Sequence, residues 1–282
     1  MYISKDNRFE KYEIINKNVL KYIVIILMLF DHICSFFPFT STPVIIVGII
    51  SRLTAPTMAL SIAEGYHYTR DIDKYMKRML IFSIISYIPY NMCRTAYINP
   101  FHLYPGSIIP KFMSASGTVF IDPNVFLSSI NSTLAINESS VILTLFLGLI
   151  TIYLWDKINI SKYWKLVITL FILWLSAFSN WDYYLILLCL IFYFFKEDSK
   201  KMWALYTVVA LLYIFTVRLF ANPFHFAFTM DFQIHKIGMF LVPLFFLMYN
   251  GKSGKKSAFN KWFFYIFYPG HLLILGLIRF LV

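Results

Sequence analysis

Charge is scarce in this chain. Only 14% of its 282 residues are Asp, Glu, Lys or Arg, against about 25% in an average soluble domain, while 59% are hydrophobic and 20% aromatic. A soluble fold of this size could not hide so much apolar surface. Cysteine is scarcer still. Cys34, Cys93 and Cys189 are odd in number and lie in or beside apolar runs, which excludes a disulfide framework and a cysteine-based metal site. They read as small buried residues, and no metal is expected. No nucleic-acid-binding motif accompanies the net charge of +11, so that charge does not mark a nucleic-acid partner. A small-residue cleavage site is also missing near the N-terminus, so the first apolar run reads as a retained membrane anchor. No internal repeat and no second domain is visible.

What is present is a series of apolar runs of about 20 residues each, the mark of a polytopic helical membrane protein. The reading is all-α: a single domain, 1–282, of about nine transmembrane helices in a lipid bilayer. The candidate spans are 20–38, 43–66, 75–93, 140–156, 162–180, 182–196, 202–220, 233–250 and 262–282. With the N-terminus in the cytoplasm, 19 of the 25 basic residues fall on the inner side. Arg94, Lys111, Lys236 and Arg279 fall outside or at outer helix ends. This bias orients the chain by the positive-inside rule and points to the inner, cytoplasmic membrane. One long outer connection, 94–139, is rich in Pro, Gly and Ser yet apolar, and is read as a cap over the helices.

Ionisable groups in hydrocarbon are costly and mark function. The stretch LMLFDHICSFFP sets Asp31 and His32 side by side in an apolar run. At about 1.5 Å of rise per residue, Asp31 lies ~15 Å from Lys21, Arg52 ~13 Å from Pro43 and His271 ~13 Å from Trp262. All four candidates therefore reach the middle of a core about 30 Å thick. Asp31 with Arg52 reads equally as a structural ion pair or a functional one, whereas His32 and His271 read as functional. Neighbours on a helix point about 100° apart, so Asp31 and His32 cannot both face one partner. Pro269 and Gly270 loosen the last span beside His271 and free a carbonyl there.

Two further groups of residues sit at the ends of spans. Glu64, His67 and Arg70 recur at i, i+3 and i+6 at the inner edge, followed by Lys74, Lys77 and Arg78. They read either as a solvated positive flank or as a landing site for a phosphorylated cytosolic cofactor. At the outer edge stand Asp182, His225, Asp231, His235 and Lys236, with Arg218 ending the seventh span. They read as interfacial polarity or as a mouth for an external acceptor.

The chain resembles the TraX family, named for the acetylase of F-type conjugative pilin. The resemblance lies in LKYIVIILMLFDHI (20–33), SRLTAPTMALSIAEGYHYTRDIDKYMKRML (51–80), SIISYIPYNM (83–92), INESSVILTLFLGLI (136–150), NWDYY (180–184) and YNGKSGKK with WFFYIFYPGHLLILGLI (249–278). It runs nearly end to end and in order. Two features depart from the family pattern: the 94–139 connection is longer, and DYY stands where the family has DYG. Both lie on the outer side, which leaves the acceptor open.

The resemblance implies a membrane-embedded acyltransferase that takes acetyl groups from cytosolic acetyl-CoA. The acceptor would be an amine or hydroxyl, on a peptide N-terminus or a cell-surface glycan. On that reading Arg70, Lys74 and Arg78, with Glu64 and His67, hold acetyl-CoA. His32 or His271 is the general base or carries a transient acetyl group, Asp31 fixes a histidine tautomer, and Arg52 stabilises the oxyanion. Asp182, His235 and Lys236 face the acceptor. A proton-coupled secondary transporter is the alternative, since buried Asp, His and Arg also build proton relays. Transporters often show paired repeats, however, and none is present here.

Overall fold

A computed structural model describes residues 14–36, 42–95, 139–215, 218–222, 225–229, 232–252, 254–255 and 257–281. The predicted outer cap, Arg218 and His225 as side chains, and Asp231 fall outside what is described. The helices in chain order are α1 (Lys17–Phe36), α2 (Thr42–Ser51), α3 (Thr54–Tyr68), α4 (Ile72–Ile85) and α5 (Tyr87–Thr95). They continue with α6 (Val141–Asp156), α7 (Lys162–Leu175), α8 (Asp182–Phe194) and α9 (Ser199–Ile214). A two-stranded hairpin, β1 (Arg218–Asn222) with β2 (His225–Thr229), follows. A 3₁₀ segment, Ile234–Phe240, leads into α10 (Leu241–Leu247), and α11 (Ala258–Leu281) ends the chain.

The described fold is helical, as expected, apart from this short hairpin, which corrects the seventh span, 202–220. Helix α9 stops at Ile214, and residues 218–222 are strand. Asn222-Pro223 follows within the stretch, and the residue before a proline is pushed away from helical backbone.

Proline explains most of the other interruptions. It has no N–H to give the carbonyl four residues back, and its ring crowds that carbonyl. Pro56 thereby deprives Arg52, and the path from α2 to α3 breaks at Arg52–Leu53. There the amides of Arg52 and Leu53 bond three residues back, to Ile49 and Ile50, at 3.3 and 3.2 Å. Pro89 deprives Ile85, where α4 ends. Pro243 deprives Met239, whose carbonyl accepts from the Tyr206 hydroxyl at 2.9 Å instead. Pro269 lies inside α11, which runs on through it.

Two described helical stretches, Lys17–Ser35 and Val44–Tyr68, are long and apolar enough to cross a membrane. Four more apolar helices are shorter: Val141–Asp156, Asp182–Phe194, Ile234–Leu247 and Trp262–Ile278. The apolar stretches are thus more broken than the nine full-length spans read from the sequence. Their apolar faces fit association with a membrane. On α7 the side chains of Trp164, Leu166, Leu170 and Phe171 are exposed, while Thr169 and Ile172 face inward.

Helix α8 is apolar all round and forms the core. Tyr184, Leu185, Ile186, Leu188, Cys189 and Phe192 are buried, and α3, α6 and α9 pack around them. Gly148 lets α6 approach closely: a Cβ there would sit 2.8 Å from the Cys189 sulfur. α11 packs on α5, α1 packs on α2, and the 3₁₀ segment crosses α2 at Gly238. A Cβ on Gly238 would collide with the Ile49 carbonyl, so only glycine fits that crossing. The N-terminal residues are tied to the 248–255 loop. Ile15 donates to Met248 at 2.9 Å, Asn250 donates to Ile15 at 2.9 Å, and Lys17 donates to Lys252 at 2.8 Å. The Asn16 side chain then caps α1 by accepting from the amides of Asn18 and Val19.

Candidate functional site

The break at Arg52 faces the Asp31 level of α1. Arg52 Nη2 donates to Asp31 Oδ1 at 2.6 Å, and the Ser51 hydroxyl donates to the same oxygen at 2.6 Å. Arg52 Nε reaches the Gly48 carbonyl at 3.2 Å and Nη1 the Tyr213 hydroxyl at 3.2 Å. Its guanidinium also lies over the Trp181 ring, 5.5 Å from the centroid. Trp181 stacks on Tyr213 at 4.5 Å and holds a left-handed backbone, φ +74°, followed by Asp182 at φ +44°. Such values are uncommon for non-glycine residues and carry strain, held here by the stack and by the start of α8.

His32, about 100° around α1 from Asp31, faces α11 instead. His32 Nδ1 and His271 Nε2 are 2.8 Å apart, and His271 Nδ1 is 2.7 Å from the Phe267 carbonyl. A carbonyl only accepts, so His271 Nδ1 carries its proton and His271 Nε2 a lone pair. For two neutral rings, His32 Nδ1 then donates to His271, and His32 Nε2 bears the basic lone pair. The sequence reading gives Asp31 the task of fixing a histidine tautomer. The correction is that Asp31 serves Arg52 and Ser51, while His271 and the Phe267 carbonyl orient His32.

Asp31, His32 and Arg52 line a cavity of about 300 Å³, together with Tyr90, Asn180, Trp181, His235 and Tyr268. A second cavity, about 250 Å³, lies toward the end of the bundle that carries Lys17, Lys21 and Arg78. Met58, Val141 and Tyr268 line both, so the two spaces share one wall.

The remaining predicted residues divide between these cavities and other roles. Glu64, 2% exposed, is ion-paired with Lys17 at 2.8 Å and accepts from the Tyr249 hydroxyl. His67 is exposed and contacts Lys196 at 3.1 Å. Arg70 does not share a helix face with them, because α3 ends at Tyr68. Lys74 is exposed and pairs with Asp71, whose side chain caps α4. Hydrogen bonds from the Lys74 amide and ammonium hold the Asp71 carboxyl below its ordinary range. Of the five residues assigned to the cofactor, Arg78 alone lines the second cavity among the described residues. His235, placed at an outer mouth from sequence, lines the same cavity as His32. Lys236, 6% exposed, lies 4.5 Å over the Tyr213 ring, and Asp182 starts α8.

Sequence reasoning missed Tyr90, Trp181 and Tyr268 at the first cavity, Ser51 and Tyr213 as partners of Asp31 and Arg52, and Lys17, Lys21 and Tyr75 at the second cavity. Tyr268 lies three residues before His271, inside the quoted FYPGH run, and that was its only signal.

A sequence model described as TraX protein matches residues 16–122 and 124–279, nearly the whole chain. The chain belongs to the TraX family. It is also similar to a probable fimbrial assembly protein FimC, serogroup H1, of Dichelobacter nodosus. The two are 25% identical over 259 residues, covering 91% of this chain and 92% of that protein. No solved structure matches. The family match takes in residues of both cavities, from Lys17 on α1 to Tyr268 on α11, and His271 beyond it.

Proposed function

We propose that this TraX protein is a membrane-embedded acetyltransferase. It moves an acetyl group from cytosolic acetyl-CoA to an amine or hydroxyl at or beyond the membrane. The observation that supports this most is the oriented pair His32–His271 on the wall of a cavity that adjoins a second, cation-rimmed one. Acetyl-CoA approaches from the end carrying Lys17, Lys21 and Arg78, with its phosphates near those cations and its thin pantetheine arm along the second cavity. The acceptor enters the first cavity past His235 and Trp181. The name of the fimbrial assembly relative favours a surface peptide over a glycan as acceptor. The apolar segments then sit in the inner membrane with the N-terminus in the cytoplasm.

His32 Nε2 takes the proton of the attacking amine or hydroxyl as that atom bonds to the thioester carbon. His271, its Nδ1–H held by Phe267, keeps the basic nitrogen of His32 toward the cavity. The C–S bond breaks, and the leaving thiolate takes the proton back from His32. Arg52, with three N–H groups committed to Asp31, Gly48 and Tyr213, braces the wall.

The test uses purified full-length protein, labelled acetyl-CoA and candidate acceptors followed by mass spectrometry. Acetyl transfer or CoA release should occur and should vanish in His32→Ala and His271→Ala variants that still fold. Full activity in both variants would overturn the mechanism. A proton-coupled transporter is the second reading, favoured by the helix broken at Arg52. Substrate-driven proton flux in liposomes without CoA binding would decide for it.

A further inference from the structure

A second imidazole, that of His235, lines the cavity that holds His32. It stands on the 3₁₀ segment Ile234–Phe240, which packs on α2, α9 and α10. α2 comes close to its root: a Cβ on Gly48 would lie 3.4 Å from the His235 Cβ. His235 is half-buried, and among the described residues its ring makes no hydrogen bond or ion pair. The charges that face it are Arg52 and Asp31, already paired with each other, and its neighbour Lys236. α2 and α10 bring it no titratable side chain. α9 brings the Tyr206 and Tyr213 hydroxyls, bonded to the Met239 carbonyl and to Arg52. His32, for its part, gives Nδ1 to His271 and keeps a single basic nitrogen.

One basic nitrogen does not suffice for an amine acceptor. A peptide α-amine has an ordinary pKa of about 7.7–8.0, so at neutral pH it is largely an ammonium ion with no lone pair for attack. It must lose one proton before the N–C bond forms and a second before the tetrahedral intermediate collapses. The second leaves with CoA as its thiol, and the first is surplus. The ammonium and the acetyl thioester thus give the amide, the CoA thiol and one free proton. We propose that His235 is the base that takes this surplus proton. It strips the incoming ammonium inside the cavity, and the freed lone pair attacks the thioester carbon. His32 then handles only the proton that passes to the thiolate as the C–S bond breaks, and His235 gives its own proton to water as the product leaves. This rests on the acetyltransferase reading above, for an amine acceptor. A hydroxyl acceptor carries no surplus proton and needs no second base.

The experiment follows acetyl transfer by purified full-length protein from acetyl-CoA to a short synthetic peptide with a free N-terminus, as a function of pH. With a base in the cavity, wild-type kcat/KM for the peptide should change little between about pH 6.5 and about pH 8. His235→Gln keeps a polar side chain without a basic nitrogen, so only peptide that is already deprotonated reacts. Its log kcat/KM should rise with a slope of about one up to the pKa of the amine. The deficit against wild type should be about 10- to 100-fold near pH 6.5 and no more than about threefold near pH 9. Hydroxylamine, an acceptor largely uncharged at either pH, should show a far smaller deficit at the lower one. A deficit equal at both pH values and for both acceptors marks a structural role and overturns the assignment. So does a wild-type profile in His235→Gln, or a slope of one in wild type itself, a measurement that needs no variant to fold. Wild-type protein that releases CoA but acetylates no amine also overturns it, and leaves the acetyltransferase reading standing. Wild-type protein that neither releases CoA nor acetylates any acceptor overturns both.

Discussion

His32→Gln isolates the base at the scale of single residues. Glutamine keeps polar contact with His271 but has no basic nitrogen, so acetyl transfer should fall at least 100-fold while the unfolding temperature stays within a few degrees of wild type. Asp31 and Arg52 carry opposite charges 2.6 Å apart with little exposure. Removing one of them leaves the other buried and uncompensated, at a cost of about 3–5 kcal/mol. Asp31→Asn and Arg52→Gln should each lower the unfolding temperature sharply, whereas the double variant should recover much of the loss. Additive losses in that cycle would mean that the ion pair does not join α1 to the α2–α3 break. Ser51→Ala removes one of two donors to Asp31 and should cost only about 1 kcal/mol.

Between elements, glycine positions separate close contacts from open ones. Gly238→Ala drives a methyl into the Ile49 carbonyl and should cost about 1–3 kcal/mol. It should also reduce activity, because the same crossing positions His235 and the Arg52 turn. Gly270, next to His271, has nothing within 4 Å of its would-be Cβ. Gly270→Ala should therefore be neutral, or stabilising by up to about 1 kcal/mol through helix propensity. Unfolding curves of the two variants in one detergent check the contrast. A destabilised Gly270→Ala would mean that the helix beside Pro269 needs glycine's backbone freedom rather than open space.

For the whole molecule, the proposed orientation predicts which ends meet which compartment. A cysteine at Ser257, in the basic 250–261 segment, should react with an impermeant thiol reagent only from the cytoplasmic side. One at Phe232, exposed beside the 3₁₀ segment, should react only from outside. Reversed labelling would put Lys21 and Arg78 on the wrong side for acetyl-CoA. Much of this arrangement was legible in the chain. Apolar runs give helix positions because burying apolar length is a local property of composition. Proline gives the breaks at Arg52 and Ser86 because a missing N–H acts four residues away, and helical rise alone put Asp31, Arg52 and His271 at comparable depths. The sequence could not say that Asp31 turns to Arg52 while His32 turns to His271, or that Glu64 is taken by Lys17 and Tyr249. Nor could it say that Tyr268 and Val141, 127 residues apart along the chain, line the wall that the two cavities share. Those pairings depend on the rotation of each helix about its axis and on which helices touch, and only the tertiary packing decides both.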